Sequence, residues 1–188
     1  GTTSPGAKLD VEGGDLGNTS GDSTTAAIIR AGRQNIIFKD TRTADGTDWK
    51  DTTFKIIAAG NTHFHEPGLE ELLKVSLEAS FFVHKKVPPE INFDVFILSV
   101  GTPLITDQRV PNMRALSAAV ESISPFISEN TLVILRSTIP VGTTREIADQ
   151  LLKSNGLNTI NVSFCPERTA EGEALVELQS LPQIISGN

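Results

Sequence analysis

The clearest regularity along the chain lies in its second half. Three apolar runs, 95–100 (VFILSV), 132–135 (LVIL) and 160–164 (INVSF), alternate with segments of helical spacing. Leu116, Val120, Ile123 and Ile127 recur at the intervals of one helical face, and Ile147 and Leu151 repeat the interval in the next segment. Strands that stay apolar on consecutive residues suit burial on both faces, which a parallel sheet flanked by helices requires. The pattern predicts an α/β fold: a doubly wound, mainly parallel sheet with helices on both faces.

The first half is less regular. Residues 1–7 (GTTSPGA) carry no periodicity and read as a disordered leader, which leaves 8–188 as one domain. From Lys8 to Asp40 the order is a short apolar stretch, a Gly-rich turn at 12–17, a helix through 26–31 and an apolar strand at 36–38. Residues 41–53 are polar and unpatterned, as in a loop or a helix entry. A helix is expected to begin near Glu66 and Pro67, which suit a donor-rich first turn, and to continue through Leu69, Leu72, Leu73 and Leu77.

Composition narrows the function classes. A length of 188 residues suits a single domain, and no apolar run approaches the roughly 20 residues that span a bilayer, so no membrane partner is expected. The formal charge of −7 argues against generic nucleic-acid binding, which rewards clustered Lys and Arg. The single cysteine, Cys165, excludes an internal disulfide, and the amino end lacks the pattern of a secretory signal, so a cytoplasmic location is expected.

Each apolar run of the second half is followed at once by a loop: Gly101-Thr102-Pro103, then 137–144 (STIPVGTT), then 165–172 (CPERTAEG). With parallel strands, all three loops fall at the carboxyl edge, where open α/β sheets bind ligands. Thr138 and Thr143 offer hydroxyls there, and helix starts after Pro140 and Pro166 would aim backbone N–H groups at an anion. Glu167 and Glu171, four residues apart, would share a helix face and influence each other's protonation. Taken singly these features are ordinary: a turn, an N-cap, a solvated pair of glutamates. Their combination on one edge is what points to a site.

The segments 94–104 (DVFILSVGTPL), 132–144 (LVILRSTIPVGTT), 164–175 (FCPERTAEGEAL) and 181–187 (LPQIISG) resemble the signature segments of the UDP-glucose/GDP-mannose dehydrogenase family, in the family's order. The stretch 58–73 (AAGNTHFHEPGLEELL) resembles the part that precedes them there. The context of Cys-Pro-Glu-Arg looks more like the branch that acts on UDP-N-acetylhexosamines than like the UDP-glucose branch. The resemblance implies a Rossmann-like NAD-binding domain of a nucleotide-sugar 6-dehydrogenase, with NAD as cofactor and a nucleotide sugar as substrate, in a parent protein that is a homo-oligomer. By the same resemblance Thr138 would orient the catalytic water and substrate, and Glu167 would match the catalytic glutamate. Glu171 would be a second glutamate near the cofactor and reaction centre. Gly101, Thr102 and Ser137 would line the dinucleotide site, and the backbone of Arg168, Thr169 and Ala170 would approach the sugar nucleotide. The reaction so implied has two hydride transfers to two NAD, through a thiohemiacetal and a thioester.

Two departures from the family pattern accompany it. The dinucleotide fingerprint G-x-G-x-x-G finds its nearest match at 12–17 (EGGDLG), where Gly14 and Gly17 hold the later glycine positions and Glu12 replaces the first. Asp40, after the next apolar run, stands at about the distance expected for an acid binding the ribose hydroxyls, and reads equally well as a surface aspartate. The family's nucleophilic cysteine belongs to a carboxyl-terminal domain that this sequence does not contain. Cys165, following an apolar strand, reads as a small buried hydrophobe. His63 and His65 lack further ligands at convincing spacing, so no metal site is expected. A non-catalytic nucleotide-binding or regulatory module that kept the fold is the rival reading.

Overall fold

A computed structural model of the chain describes residues 25–30, 33–38, 56–62, 64–77, 81–84, 86–105 and 110–187. The glycine turn with Gly14 and Gly17, and likewise Asp40, lie outside them. In chain order the elements are β1 (Thr25–Arg30), β2 (Arg33–Phe38), α1 (Leu69–Ser76), β3 (Phe81–His84), β4 (Val95–Leu98), β5 (Leu104–Ile105), β6 (Val110–Pro111), α2 (Arg114–Ile123), a 3-10 turn (Ser124–Phe126), β7 (Leu132–Leu135), α3 (Thr143–Asn155), β8 (Asn161–Phe164), α4 (Ala174–Ser180) and β9 (Ser186–Gly187).

The main sheet has seven strands in the order β3-β2-β1-β4-β7-β8-β9. β4, β7 and β8 are parallel neighbours, and β2 is parallel to β3. β1 runs antiparallel to both of its neighbours, and β9 antiparallel to β8. Two reversals return β2 and β3 to the direction of β4, so five of the seven strands point the same way.

The segment read as a helix through 26–31 is strand β1 instead. Thr25, Ile28 and Ile29 are β-branched, and all six residues of β1 pair with β2 across the two-residue spacing 31–32. That hairpin spacing, with β4 as a second partner, outweighs the helical reading of the alanine-rich composition.

Sheet register shows which helices cover which face. Phe96, Leu98, Val133, Leu135 and Val162 lie on one face, in a core with Leu116, Val120 and Ile123 of α2 and Ile147 and Leu151 of α3. Phe96 pairs with Ile28, Ile28 with Asn35, and Asn35 with Phe82, and paired residues share a face. Phe81, one residue from Phe82, therefore faces the other side, where it packs with Ile57 and with Leu69 and Leu73 of α1. Ile97 is buried on that same side. Helices thus lie on both faces, as the apolar runs predict.

Helix α2 ends where Pro125 enters the 3-10 turn, so Ile127, expected on its face, follows the turn and is still buried. α1 starts at Leu69, past Pro67, with Gly68 at φ 82 as its N-cap. Strand β3 (FFVH) and the two-residue strands β5 and β6 are additions to the elements that periodicity predicts. Among the described residues no helix is long and apolar enough to cross a membrane.

Candidate functional site

Because β4, β7 and β8 are parallel neighbours, the loops that follow them emerge side by side at one edge. Their first residues extend the sheet ladders past the strand ends: Arg136 N donates to Leu98 O at 2.8 Å, Cys165 N to Leu135 O at 2.9 Å, and Glu167 N to Arg136 O at 3.0 Å. β2 also ends at this edge, at Phe38, which pairs with Thr25 beside the end of β4.

Ser137 is buried, and its hydroxyl closes a two-way clamp on Val100, donating to the carbonyl at 2.6 Å and accepting from the amide at 2.9 Å. Both capacities of the hydroxyl are thereby used on the chain itself, so Ser137 shapes the edge of the site by fixing Val100 ahead of Gly101. Thr102 Oγ1 donates to Thr138 O at 2.6 Å, which ties the first loop to the second and leaves the exposed Thr138 side chain facing out of the junction.

The third loop centres on an ion pair. Arg136, at the end of β7, and Glu167 have side chains only 7% and 6% exposed, and Arg136 Nη2 contacts Glu167 Oε2. Arg136 Nη1 also donates to Cys165 Sγ at 3.1 Å and to Gln183 Oε1 at 3.2 Å. The other carboxylate oxygen of Glu167 accepts the amides of Arg168 at 2.7 Å and Thr169 at 3.0 Å. Burial works to raise the Glu167 carboxyl, but the two amides and the Arg136 charge outweigh it and hold the group below its ordinary 4.5.

The expected helix bearing Glu167 and Glu171 on one face does not form. Residues 165–170 have no regular structure, Glu171 sits exposed in a turn, and α4 begins only at Ala174. Glu167 bonds to the amides of the two residues after it, which holds the chain in a turn, and Gly172 has φ 90, outside the helical region. Glu167 therefore points inward to Arg136 while Glu171 faces solvent. The helix start expected after Pro166 is absent for the same reason. After Pro140 a helix does follow, α3, entered through Gly142 at φ 98.

The loop amides are also committed. Arg168 and Thr169 N–H groups serve Glu167, and Ala170 N donates to Glu177 Oε2 at 2.6 Å. What the 168–170 stretch offers a ligand is its carbonyl groups and exposed side chains. Among those is Arg168, whose Nη1 reaches Pro182 O at 3.1 Å.

Arg136 was not singled out by the sequence reading, although a cation ending a buried apolar strand signals a buried partner. Glu177 and Gln183 carry no such signal. Cys165 is half-buried and hydrogen-bonded to Gln183 Oε1 at 3.7 Å, a more polar setting than that of a small core hydrophobe. A groove of about 470 Å³ lined by Ile105, Pro111, Met113, Arg114, Ser117 and Glu121 belongs to the β5–β6 hairpin and α2 and includes none of these loop residues. Among the described residues no three His, Cys, Asp or Glu side chains gather as a metal site.

Residues 37–188 match the UDP-glucose/GDP-mannose dehydrogenase family, NAD binding domain. The chain is 33% identical over 176 residues to the UDP-N-acetyl-D-mannosamine dehydrogenase of Salmonella typhimurium, which is 87% of this chain and 39% of that protein. It superposes on the UDP-D-ManNAc dehydrogenase from Pyrococcus horikoshii with a TM-score of 0.69 and 31% identity, covering 80% of this chain and 35% of the other. For the UDP-N-acetyl-mannosamine dehydrogenase from Staphylococcus aureus the TM-score is 0.65 at 30% identity, with 72% and 34% covered. The chain thus spans about two fifths of the curated relative's length. The family match begins at Ile37, so β1 and the turn at 12–17 lie before it.

Proposed function

The chain belongs to the UDP-glucose/GDP-mannose dehydrogenase family, and on that premise we propose that it is the NAD-binding part of an enzyme that oxidises a UDP-N-acetylhexosamine to its uronate by two hydride transfers. The observation that supports this best is the set of three loops emerging together at the carboxyl edge of β4, β7 and β8, the first joined to the second through Val100, Ser137, Thr102 and Thr138 and the second to the third through Arg136 and Glu167. Such an edge is where open α/β sheets take dinucleotides.

The residues fit NAD there in kind. Gly101 presents backbone with no side chain, Thr102 and the Ser137 clamp hold that backbone in place, and a carboxylate faces solvent at Glu171. When bound, NAD supplies the hydride acceptor for the C6 alcohol of the sugar. The chain's own contribution is positional. Thr138 turns an exposed hydroxyl toward substrate and water, Glu167 fixes the backbone of Arg168 and Thr169 by accepting their N–H groups, and Glu171 presents an exposed carboxylate beside the cofactor and reaction centre. Arg168 brings a cation to the loop that meets the nucleotide phosphates. A cytoplasmic location and a homo-oligomeric parent complete this reading.

Its test is the stoichiometry of NADH formation by the full-length protein carrying this chain. Two NADH per UDP-N-acetylmannosamine consumed is the expected result, with slower turnover of UDP-glucose and GDP-mannose. No NADH with any of the three overturns it.

One feature favours a second reading, a nucleotide-binding module without catalysis. β1 runs antiparallel to β4, so its carboxyl end, Arg30, is carried to the edge opposite the three loops. A dinucleotide fold places the phosphate turn after the carboxyl end of its first strand, on the ligand edge, and the first strand among the described residues ends on the other edge. Retained nucleotide affinity with no NADH formation would favour this second reading.

A further inference from the structure

Glu66 bridges parts of the chain more than a hundred residues apart. It is buried, and one carboxylate oxygen accepts from Gly172 N at 2.7 Å and the other from Leu175 N at 3.2 Å. Leu175 is the second residue of α4, whose N-cap, Glu173, makes no side-chain cap bond. Glu66 thus does from outside what a capping side chain does within a helix, satisfying the first-turn amide of Leu175 and with it the amide of Gly172 just ahead of the N-cap. The same junction is packed. Leu175 lies against the cluster of Ile57, Leu69, Leu73 and Phe81, and a side chain at Gly68 would meet Leu175 Cδ1 at 3.6 Å.

From this geometry we propose that Glu66 is a positioning residue for the sugar-nucleotide loop, setting where Arg168–Gly172 lies relative to the other two loops. The inference rests on the reading that this loop meets the sugar nucleotide. Three carboxylates divide its amides: Glu167 takes Arg168 and Thr169, Glu177 takes Ala170, and Glu66 takes Gly172 and Leu175. Glu167 is anchored to β7 through Arg136, and Glu177 belongs to α4 itself. Glu66 alone of the three comes from a distant part of the chain, 106 and 109 residues from the amides it holds, just ahead of α1. With the Glu167 end held by β7, loss of Glu66 frees the far end, which carries Glu171. The dinucleotide loops, joined by the Ser137 clamp and the Thr102 bond, do not depend on it.

The test uses the full-length protein with Glu66→Gln and Glu66→Ala. Glutamine keeps one acceptor oxygen but turns an NH₂ group toward the second amide, whereas alanine removes both acceptors. Amide hydrogen exchange reads the latch without reference to catalysis: Gly172 and Leu175 are expected to exchange about tenfold faster or more in Glu66→Ala, with Val133 and Leu135 unchanged. Kinetics read the consequence. The KM for UDP-N-acetylmannosamine should rise by about tenfold or more in Glu66→Ala and less in Glu66→Gln, with the KM for NAD within about twofold of wild type. Unchanged exchange at Gly172 and Leu175 overturns the latch. Faster exchange with both KM values unchanged, or raised equally, overturns the positioning role. A wild-type protein that binds no UDP-sugar, with the exchange result intact, overturns the sugar-nucleotide reading and leaves Glu66 a structural cap only.

Discussion

Glu167 shows how a carboxylate survives nearly full burial. Two backbone amides and the Arg136 guanidinium replace the water it loses, and the net effect holds its pKa below 4.5. A depressed folded pKa stabilises the fold above the unfolded value, and that contribution is lost as pH falls through the folded one. Glu167→Gln should therefore cost about 3–5 kcal/mol at neutral pH, chiefly by leaving Arg136 without its counter-charge. The deficit against wild type should shrink at pH 3, as urea unfolding at the two pH values would show. An equal deficit at both would mean that the pair contributes through packing alone. At this scale the gathering of Thr102, Thr138 and Glu167 on one edge of the sheet was legible because each follows an apolar run that forms one of three parallel strands. The partner of Glu66 was not, since the two amides it holds are 106 and 109 residues away and no local pattern encodes such a pairing.

Elements in the second half follow their sequence because burial and spacing agree there. Leu116, Val120 and Ile123 are at most 1% exposed and line up on α2 against Phe96 and Leu98 of β4. Leu116→Ala should cost about 2–5 kcal/mol through lost burial and the cavity left behind, read as a lower midpoint in urea with an unchanged slope. A loss below about 1 kcal/mol would contradict the tight packing assigned to that helix. The first half reads less well for a physical reason. Residues 26–31 have an alanine-rich composition that suits a helix, yet the pairing of β1 with β2 and β4 decides the outcome for 26–30, and pairing is a property of the partner strands. In the same way the Glu167–Glu171 spacing suits a helix, but the carboxylate of Glu167 binds the following amides and keeps the segment a turn.

Taken whole, the molecule is a mixed sheet in which five strands share a direction and helices cover both faces. The three apolar runs of its second half end on one edge. The doubly wound plan was readable from periodicity alone, whereas the reversal of β1 was not. The proposed function places NAD at this edge, formed by the loops after β4, β7 and β8. The most direct test is to titrate the chain with NAD and follow backbone amide shifts by NMR. The account predicts the largest saturable changes at Gly101, Thr102, Ser137 and Thr138, with little at Thr131 and Ile160, which enter β7 and β8 at the opposite edge. Saturable shifts centred on Thr131 and Ile160, or no saturable shift at any of these residues, would contradict it.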